Sequence, residues 1–341
     1  MTAYKYDRRC RLLINSDTKT FDLSEFRIVF SVTHGSTATP KTLHARVYNL
    51  SHGGSGSSNT VAEIQAATNK TITLSAYYAS QNPSILFSGQ VRQVYAGRES
   101  PVDTYLDIGA SAFEALNATA GMNKVLAAGW THRDVFQDVL TGLPVDSTDT
   151  HPGSFPTISG SGARPKVCYG NVRDGLRAMG RNTASVVFQH DTGRVDFVPV
   201  ADLSKPTASD KKLYLSPANG LIGIPVQIPE GIQAKALLDS SLAPRAVVSI
   251  YSKNDSDSHT AVTQTQLDLD YAGINGGNAD TDANGNGFVR GLAHNGDYRI
   301  LYVEHSGDTR GETWQTVLVG QAMDPSDQSV MTQNAASATD D

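Results

Sequence analysis

Cysteine is almost missing from this chain: two in 341 residues, Cys10 and Cys168, far apart and in no metal or redox spacing. A disulfide framework is excluded on that count, and a reducing cytoplasm is the expected place of synthesis. Long apolar runs are missing too. No window approaches a membrane span, and no apolar run long enough for a signal core follows Lys5, Arg8 and Arg9, so neither export by that route nor stable membrane insertion is expected. Clustered positive charge is the third absence. The 28 Lys and Arg are spread out and the net charge is −6, which leaves no electrostatic footprint for a phosphate backbone and argues against sequence-specific nucleic-acid binding. An acidic balance serves solubility and would equally suit a wall that DNA passes without sticking.

Catalytic signatures are absent as well. There is no Gly-x-Ser-x-Gly elbow, no phosphate loop and no dinucleotide fingerprint after a strand. The nine histidines include no i, i+4 pair with an adjacent Glu of the kind a zinc hydrolase needs. The sequence therefore assigns no catalytic residue, no cofactor and no metal ligand, and the chain is expected not to be an enzyme.

What is present is alternation. Residues 26–33 (FRIVFSVT) put Phe26, Ile28, Phe30 and Val32 on one face, and residues 41–51 (KTLHARVYNLS) do the same with Leu43, Ala45 and Val47 after the Thr39–Pro40 turn. That is the pattern of paired, half-buried antiparallel strands. Ile72, Leu74, Ala76 and Tyr78 form another such face, and Thr104, Leu106, Ile108 and Ala110 a further one. Between them residues 85–95 read as a strand interrupted at Gly89, expected to be a bulge. Residues 52–59 (HGGSGSSN) read as a surface loop.

After Ala110 the period becomes helical. Three capping boxes mark candidate starts: Ser111/Glu114, Thr131/Asp134 and Asn171/Asp174. Phe136, Val139, Leu140 and Leu143 share one helix face, and Val172, Leu176 and Met179 another. A hairpin over residues 186–197, turning at Asp191, Thr192 and Gly193, supplies a sheet for them, and residues 147–165 read as an exposed excursion. Strands return later: Ala246, Val248 and Ile250 alternate, as do Tyr298, Ile300 and Tyr302, and Trp314, Thr316 and Leu318 share a side. The expected fold class is α+β and mostly β, two small antiparallel β-barrel-like domains (residues 1–110 and 206–325) flanking an α+β domain (111–205). Residues 326–341, almost without apolar side chains, are expected to be a disordered tail.

The sharpest metal candidate is residues 280–291 (DTDANGNGFVRG), which match the first half of an EF-hand loop, with Gly285 at the sixth position. Position twelve is Gly291, where a bidentate Glu should close the shell, so a hairpin loop is the favoured reading. Asp255/Asp257 and Asp268/Asp270 read as solvated charge, His132 as a first-turn helix residue, and His294 and His305 as flanking a strand.

Two C-terminal segments are more specific. Residues 219–225 (NGLIGIP) run through Gly231 to residues 235–250 (KALLDSSLAPRAVVSI), a turn, a strand, a leucine-rich crossover and a strand. Residues 295–300 (NGDYRI) then lead to 305–314 (HSGDTRGETW). Here Gly307, Asp308, Thr309, Arg310 and Gly311 make a turn between strands: Asp and Thr bond nearby backbone, Gly supplies positive φ, and Arg310 is the candidate contact residue. Together with the N-terminal block these segments resemble phage tail baseplate hub proteins. Ser240 and Arg245 depart from the family, standing where Pro and Gly are expected around the crossover.

The resemblance implies a structural virion protein, made in the host bacterial cytoplasm and residing in the tail baseplate or tail tip. It implies a homotrimer whose two barrel-like domains per copy make a ring of six similar units. The ring would join the tail tube or distal tail protein to the central spike, with a channel for the tape measure protein and DNA. The rival reading is a virion-associated β-rich glycan-binding or cell-wall-degrading protein, which calls for an aromatic platform or a convergent carboxylate pair; a tail-tip protein of a long noncontractile tail is a nearer variant.

Overall fold

The computed structural model describes residues 5–16, 19–35, 40–52, 60–66, 70–112, 120–141, 153–189, 195–203, 205, 212–228, 231–250, 280–281, 287–288 and 296–323. Strands dominate, with nineteen against three short α-helices among these residues. The chain divides into two compact units, one comprising Ala3–Asp202 and Glu304–Trp314, the other Leu203–Val303 and Gln315–Asp341.

The first unit opens with β1 (Arg8–Asn15), β2 (Thr20–Asp22), β3 (Ile28–Gly35) and β4 (Thr42–Tyr48). A one-turn helix α1 (Val61–Gln65) precedes β5 (Thr71–Tyr78), β6 (Ile85–Arg98) and β7 (Thr104–Ser111). The strands pair antiparallel in the order β3-β4-β7-β6-β5-β1-β2. The expected pairing of the two opening strands is present in register, Ile28 opposite Val47, Phe30 opposite Ala45 and Val32 opposite Leu43, all buried. Alternation carries the core as expected, because burying every second side chain leaves the intervening ones to water. On the other face Arg46 forks onto its cross-strand partner Asp107 at 2.7 and 3.0 Å and lies 4.0 Å from the Tyr105 ring centroid.

Gly89 is not a bulge. It sits in regular register opposite Ile72, and the ladder skips instead at Leu86 and Arg92. Its role is close approach, since a Cβ there would lie 2.6 Å from the Ser111 carbonyl oxygen and 2.7 Å from Phe87 Cζ. The helix α1 begins with a capping box: Thr60 Oγ1 accepts from the Glu63 N–H, and Glu63 Oε2 from the Thr60 N–H.

The α+β segment follows: β8 (Gly121–Leu126), α2 (His132–Thr141), β9 (Lys166–Asn171), α3 (Val172–Asn182), β10 (Ser185–Gln189) and β11 (Val195–Pro199). The box at Thr131 is formed, with Asp134 accepting from the Thr131 N–H at 2.8 Å and the Asp134 N–H donating back at 3.2 Å. Asn171 is the N-cap of α3 but makes no side-chain cap bond. Ser111 ends β7, and its box partner Glu114 lies outside the described residues. The expected helix faces are buried in one cluster, Phe136, Val139 and Leu140 from α2 meeting Val172, Leu176 and Met179 from α3 over Val187 and Phe197 of the predicted hairpin. Phe155, from the 147–165 excursion, stacks on Phe136 at 5.0 Å, so that part of the excursion is packed onto the cluster.

In the second unit, β12 (Lys212–Leu215) is followed by β13 (Leu221–Ile228), β14 (Gly231–Leu237) and β15 (Val247–Ile250). A two-residue ladder, β16 (Asp280–Thr281) with β17 (Gly287–Phe288), precedes β18 (Gly296–Asp308) and β19 (Trp314–Ala322), of which residues 304–308 and Trp314 belong to the first unit. β15 lies between β12, to which it is parallel, and β18. All four of its side chains are buried, so the alternation expected for residues 246–250 is replaced by burial on both faces. Along β18 the phase slips by one after Ile300: Tyr298 and Ile300 are buried, Tyr302 is exposed, and burial resumes at Val303 and His305. His305 thus lies buried within the strand, not beside it.

Among the described residues no helix is long and apolar enough to cross a membrane. The glycine-serine residues 53–59, Thr39, Leu143, the 191–193 turn, Asp255/Asp257, Asp268/Asp270, His294 and residues 326–341 lie outside the described residues.

Candidate assembly surface

The turn over residues 309–313 forms in the first unit, where β18 ends. The Asp308 N–H donates to the Thr313 carbonyl at 2.8 Å, and the Arg310 N–H to Asp308 Oδ1 at 2.9 Å. Thr309 stitches the turn to the start of β3, its N–H donating to the Ile28 carbonyl at 3.0 Å and its Oγ1 accepting from the Ile28 N–H at 2.9 Å. The backbone-bonding roles expected of Asp308 and Thr309 are therefore present. Gly311 departs from expectation. It is not among the residues with positive φ, and its need is space, a Cβ there falling 2.4 Å from Asp308 Oδ2.

Asp308 also anchors an ion pair that sequence reading missed. Arg27 reaches it with Nη2 at 2.7 Å and Nε at 3.3 Å, a two-pronged contact to a carboxylate whose side chain is 11% exposed. Burial alone would push the Asp308 carboxyl up. The Arg27 guanidinium and the N–H groups of Arg310 and Gly311 outweigh it and hold the group below its ordinary value. The same contact raises Arg27, which in addition lies 4.7 Å from the Tyr48 ring centroid. No local signal could have revealed a pair 281 residues apart.

Beneath the turn, Trp314 packs edge-on to Phe30, centroids 5.5 Å apart and rings at 80°. Gly307 is the residue that allows this, because a Cβ on it would lie 2.5 Å from Phe30 Cζ and 2.8 Å from Trp314 Cε3. The indole Nε1 is buried and finds no acceptor among the described residues. Over the ring, 5.7 Å from its centroid, lies the Arg8 guanidinium, which donates to the Glu312 carbonyl at 3.3 Å. Arg310 makes no ion pair among the described residues; its Nη2 donates to the Glu25 carbonyl at 3.2 Å. Arg8, Arg9, Arg11 and Arg310, with Asp22, Glu25 and Trp314, line a groove of about 600 Å³. Cys10 also borders it, and burial pushes that thiol up to about 12. The N-terminal block and the 305–314 block, distant in sequence, meet here.

In the second unit, the crossover places Leu238 and Leu242 in the core, and Asp239 Oδ1 accepts from the Ser241 N–H at 3.0 Å. Arg245 adopts φ +77°, a left-handed conformation that glycine accommodates freely and arginine does not. The departure noted at that position is thus accommodated as backbone strain, with the Arg245 N–H bonded to the Ile300 carbonyl at 2.8 Å. A buried arginine, Arg299, fastens the region by donating to the carbonyls of Leu203 and Lys205, both at 2.7 Å, and of Arg245 at 3.3 Å. Nearby Asp297 takes the Ser249 hydroxyl and lies 2.9 Å from the Lys212 ammonium, off hydrogen-bonding geometry. For the EF-hand-like segment, Asp280 pairs with Phe288 and Thr281 with Gly287, an antiparallel ladder bracketing residues 282–286, which lie outside the described residues.

No family model and no curated protein sequence matches the chain. Solved structures do. The E. coli c3393 protein, a component of the type VI secretion system with structural similarity to the T4 bacteriophage tail proteins gp27 and gp5, superposes with a TM-score of 0.54 at 9% identity. That match covers 88% of this chain and 74% of the other. The 43 kDa tail protein of prophage MuSo2 from Shewanella oneidensis superposes with a TM-score of 0.52 at 6% identity, covering 91% and 97%. The chain therefore shares a mostly β fold with phage tail and type VI secretion proteins.

Proposed function

We propose that this chain is a structural hub of a phage-type tail, assembled as a trimeric ring that joins the tail tube to a central spike and lines a channel for tape measure protein and DNA. The observation that carries the reading is the shared fold with tail proteins over about nine tenths of the chain. Two β-rich units per copy are what such a ring needs: closed into barrel-like domains, they would present six similar units to a sixfold tube and three copies to a threefold spike. The α+β segment 111–205 would decorate the ring. The work is interfacial, with an obligate contact exceeding roughly 2,000 Å² and no bond-making step. Such a protein belongs in the virion tail after synthesis in the host cytoplasm.

The test is mass photometry of the purified full chain followed by electron microscopy with candidate tube and spike proteins. Trimers that appear as rings with an open centre and join both partners are expected. A chain that stays monomeric at high concentration and joins neither refutes the proposal.

A further inference from the structure

The groove bordered by Trp314 holds four arginines against two carboxylates, Asp22 and Glu25. Of its four arginines, Arg9 meets Asp7 at 2.7 Å and Arg11 lies 4.0 Å from Asp22. Arg8 and Arg310 differ. Each spends one donor on a backbone carbonyl, Glu312 and Glu25 respectively, and neither has a carboxylate within 4.0 Å among the described residues. A carbonyl accepts a hydrogen bond but neutralises nothing. Two guanidinium groups, each with most of its five donors open, therefore face one concave surface. Arg8 lies over the Trp314 ring, and Arg310 springs from a turn that Asp308 and Thr309 stitch down and rests its Nη2 on the Glu25 carbonyl. Both are thus prepositioned for the two-pronged grip that arginine makes on carboxylate.

We propose that Arg8 and Arg310 receive a carboxylate-bearing segment from a second copy of this chain. The argument for that occupant is charge complementarity. The chain as a whole carries 34 acidic against 28 basic residues, so concentrating arginines in one groove leaves the rest of the surface more acidic still. A ring of identical copies places one copy's groove against a different face of the next, the head-to-tail geometry in which such complementarity closes. The inference rests on the ring reading and deepens it by naming the seam.

The experiment measures self-association of the full chain by sedimentation velocity for the wild type, R8Q/R310Q and R8E/R310E, with melting curves confirming the fold. Each is run from about 50 mM to about 500 mM NaCl, a range over which exposed ion pairs become screened. Wild-type association is expected to weaken with salt. R8E/R310E should raise the dissociation constant at least about tenfold, R8Q/R310Q less, and both should flatten the salt dependence. If R8E/R310E does not fold, the glutamine pair and the wild-type salt series decide. Oligomers that form equally well in all three proteins overturn the groove assignment and leave the ring standing. A wild type that is monomeric at roughly 100 μM overturns both. Variants that keep self-association but lose tube or spike overturn the second copy as occupant.

Discussion

Placing a methyl group on Gly307 tests the claim that this glycine exists to let Phe30 and Trp314 meet. An alanine Cβ would sit 2.5 Å from Phe30 Cζ, 2.7 Å from Phe30 Cε1 and 2.8 Å from Trp314 Cε3. Carbon atoms in contact are ordinarily about 3.5–4.0 Å apart, so the overlap is about 1 Å on two rings that are 2% and 4% exposed. Neither ring can swing into solvent without surrendering its burial. Overpacking of this kind costs about 1–3 kcal/mol, and disturbing the edge-on pair adds about 0.5–1.5 kcal/mol. Against this, removing a glycine from a strand returns about 0.5–1 kcal/mol of unfolded-chain entropy. The net expectation for Gly307→Ala is a loss of about 2–3 kcal/mol, or about 5–10 °C in the melting temperature of a unit this size. Calorimetry reads the melting shift. Tryptophan fluorescence reports locally, since Trp130 and Trp314 are the two in the chain. Phe30→Leu, which trims the atoms that clash, should cost less in the alanine background than in the wild type, with a coupling of about 1 kcal/mol or more. A melting temperature unchanged within about 1 °C, or strict additivity in the double variant, would refute the packing argument.

Three further outcomes follow from the geometry. Asp308 has its folded-state value held below the unfolded 3.8, so its contribution is whole above that value and lost as pH falls through the lower one. Asp308→Asn should destabilise the protein at neutral pH by about 2 kcal/mol and flatten the acid limb of its stability curve, read by urea melts across pH. Ala184 sits just past α3 at φ +46° and is exposed, a position where glycine relieves left-handed strain, so Ala184→Gly should gain about 0.5–1 kcal/mol in the same melts. The thiol of Cys10, raised to about 12, should alkylate at pH 8 more slowly in the folded protein than in denaturant; equal rates measured by mass spectrometry would contradict its burial.

Strand pairing was legible because its cause is local. Period-two alternation at Ile28, Phe30 and Val32, and at Ile72, Leu74 and Ala76, puts one face of each strand in the core whatever the strand's neighbours are. The Thr131 capping box and the faces of α2 and α3 were readable for the same reason. The misreadings share a cause as well. In the sequence Gly89 and Gly311 look like conformational glycines, yet both are needed because another group lies where a Cβ would go, which no local pattern encodes. Residues 247–250 are buried on both faces because β12 and β18 flank them, and an apolar run does not announce its neighbours.

By itself, then, the order of amino acids determined that this is a mostly β protein with an α+β segment, and that the 309–313 stretch turns. Those properties depend on residues within a few positions of one another. Tertiary structure alone decided that Arg27 would grip Asp308, that Arg8 would lie over Trp314, and that Arg8 and Arg310 would share a groove, neither within 4.0 Å of a carboxylate among the described residues. Each of those contacts joins segments more than 280 residues apart, and side chains so separated meet only after the strands between them have chosen their partners and register.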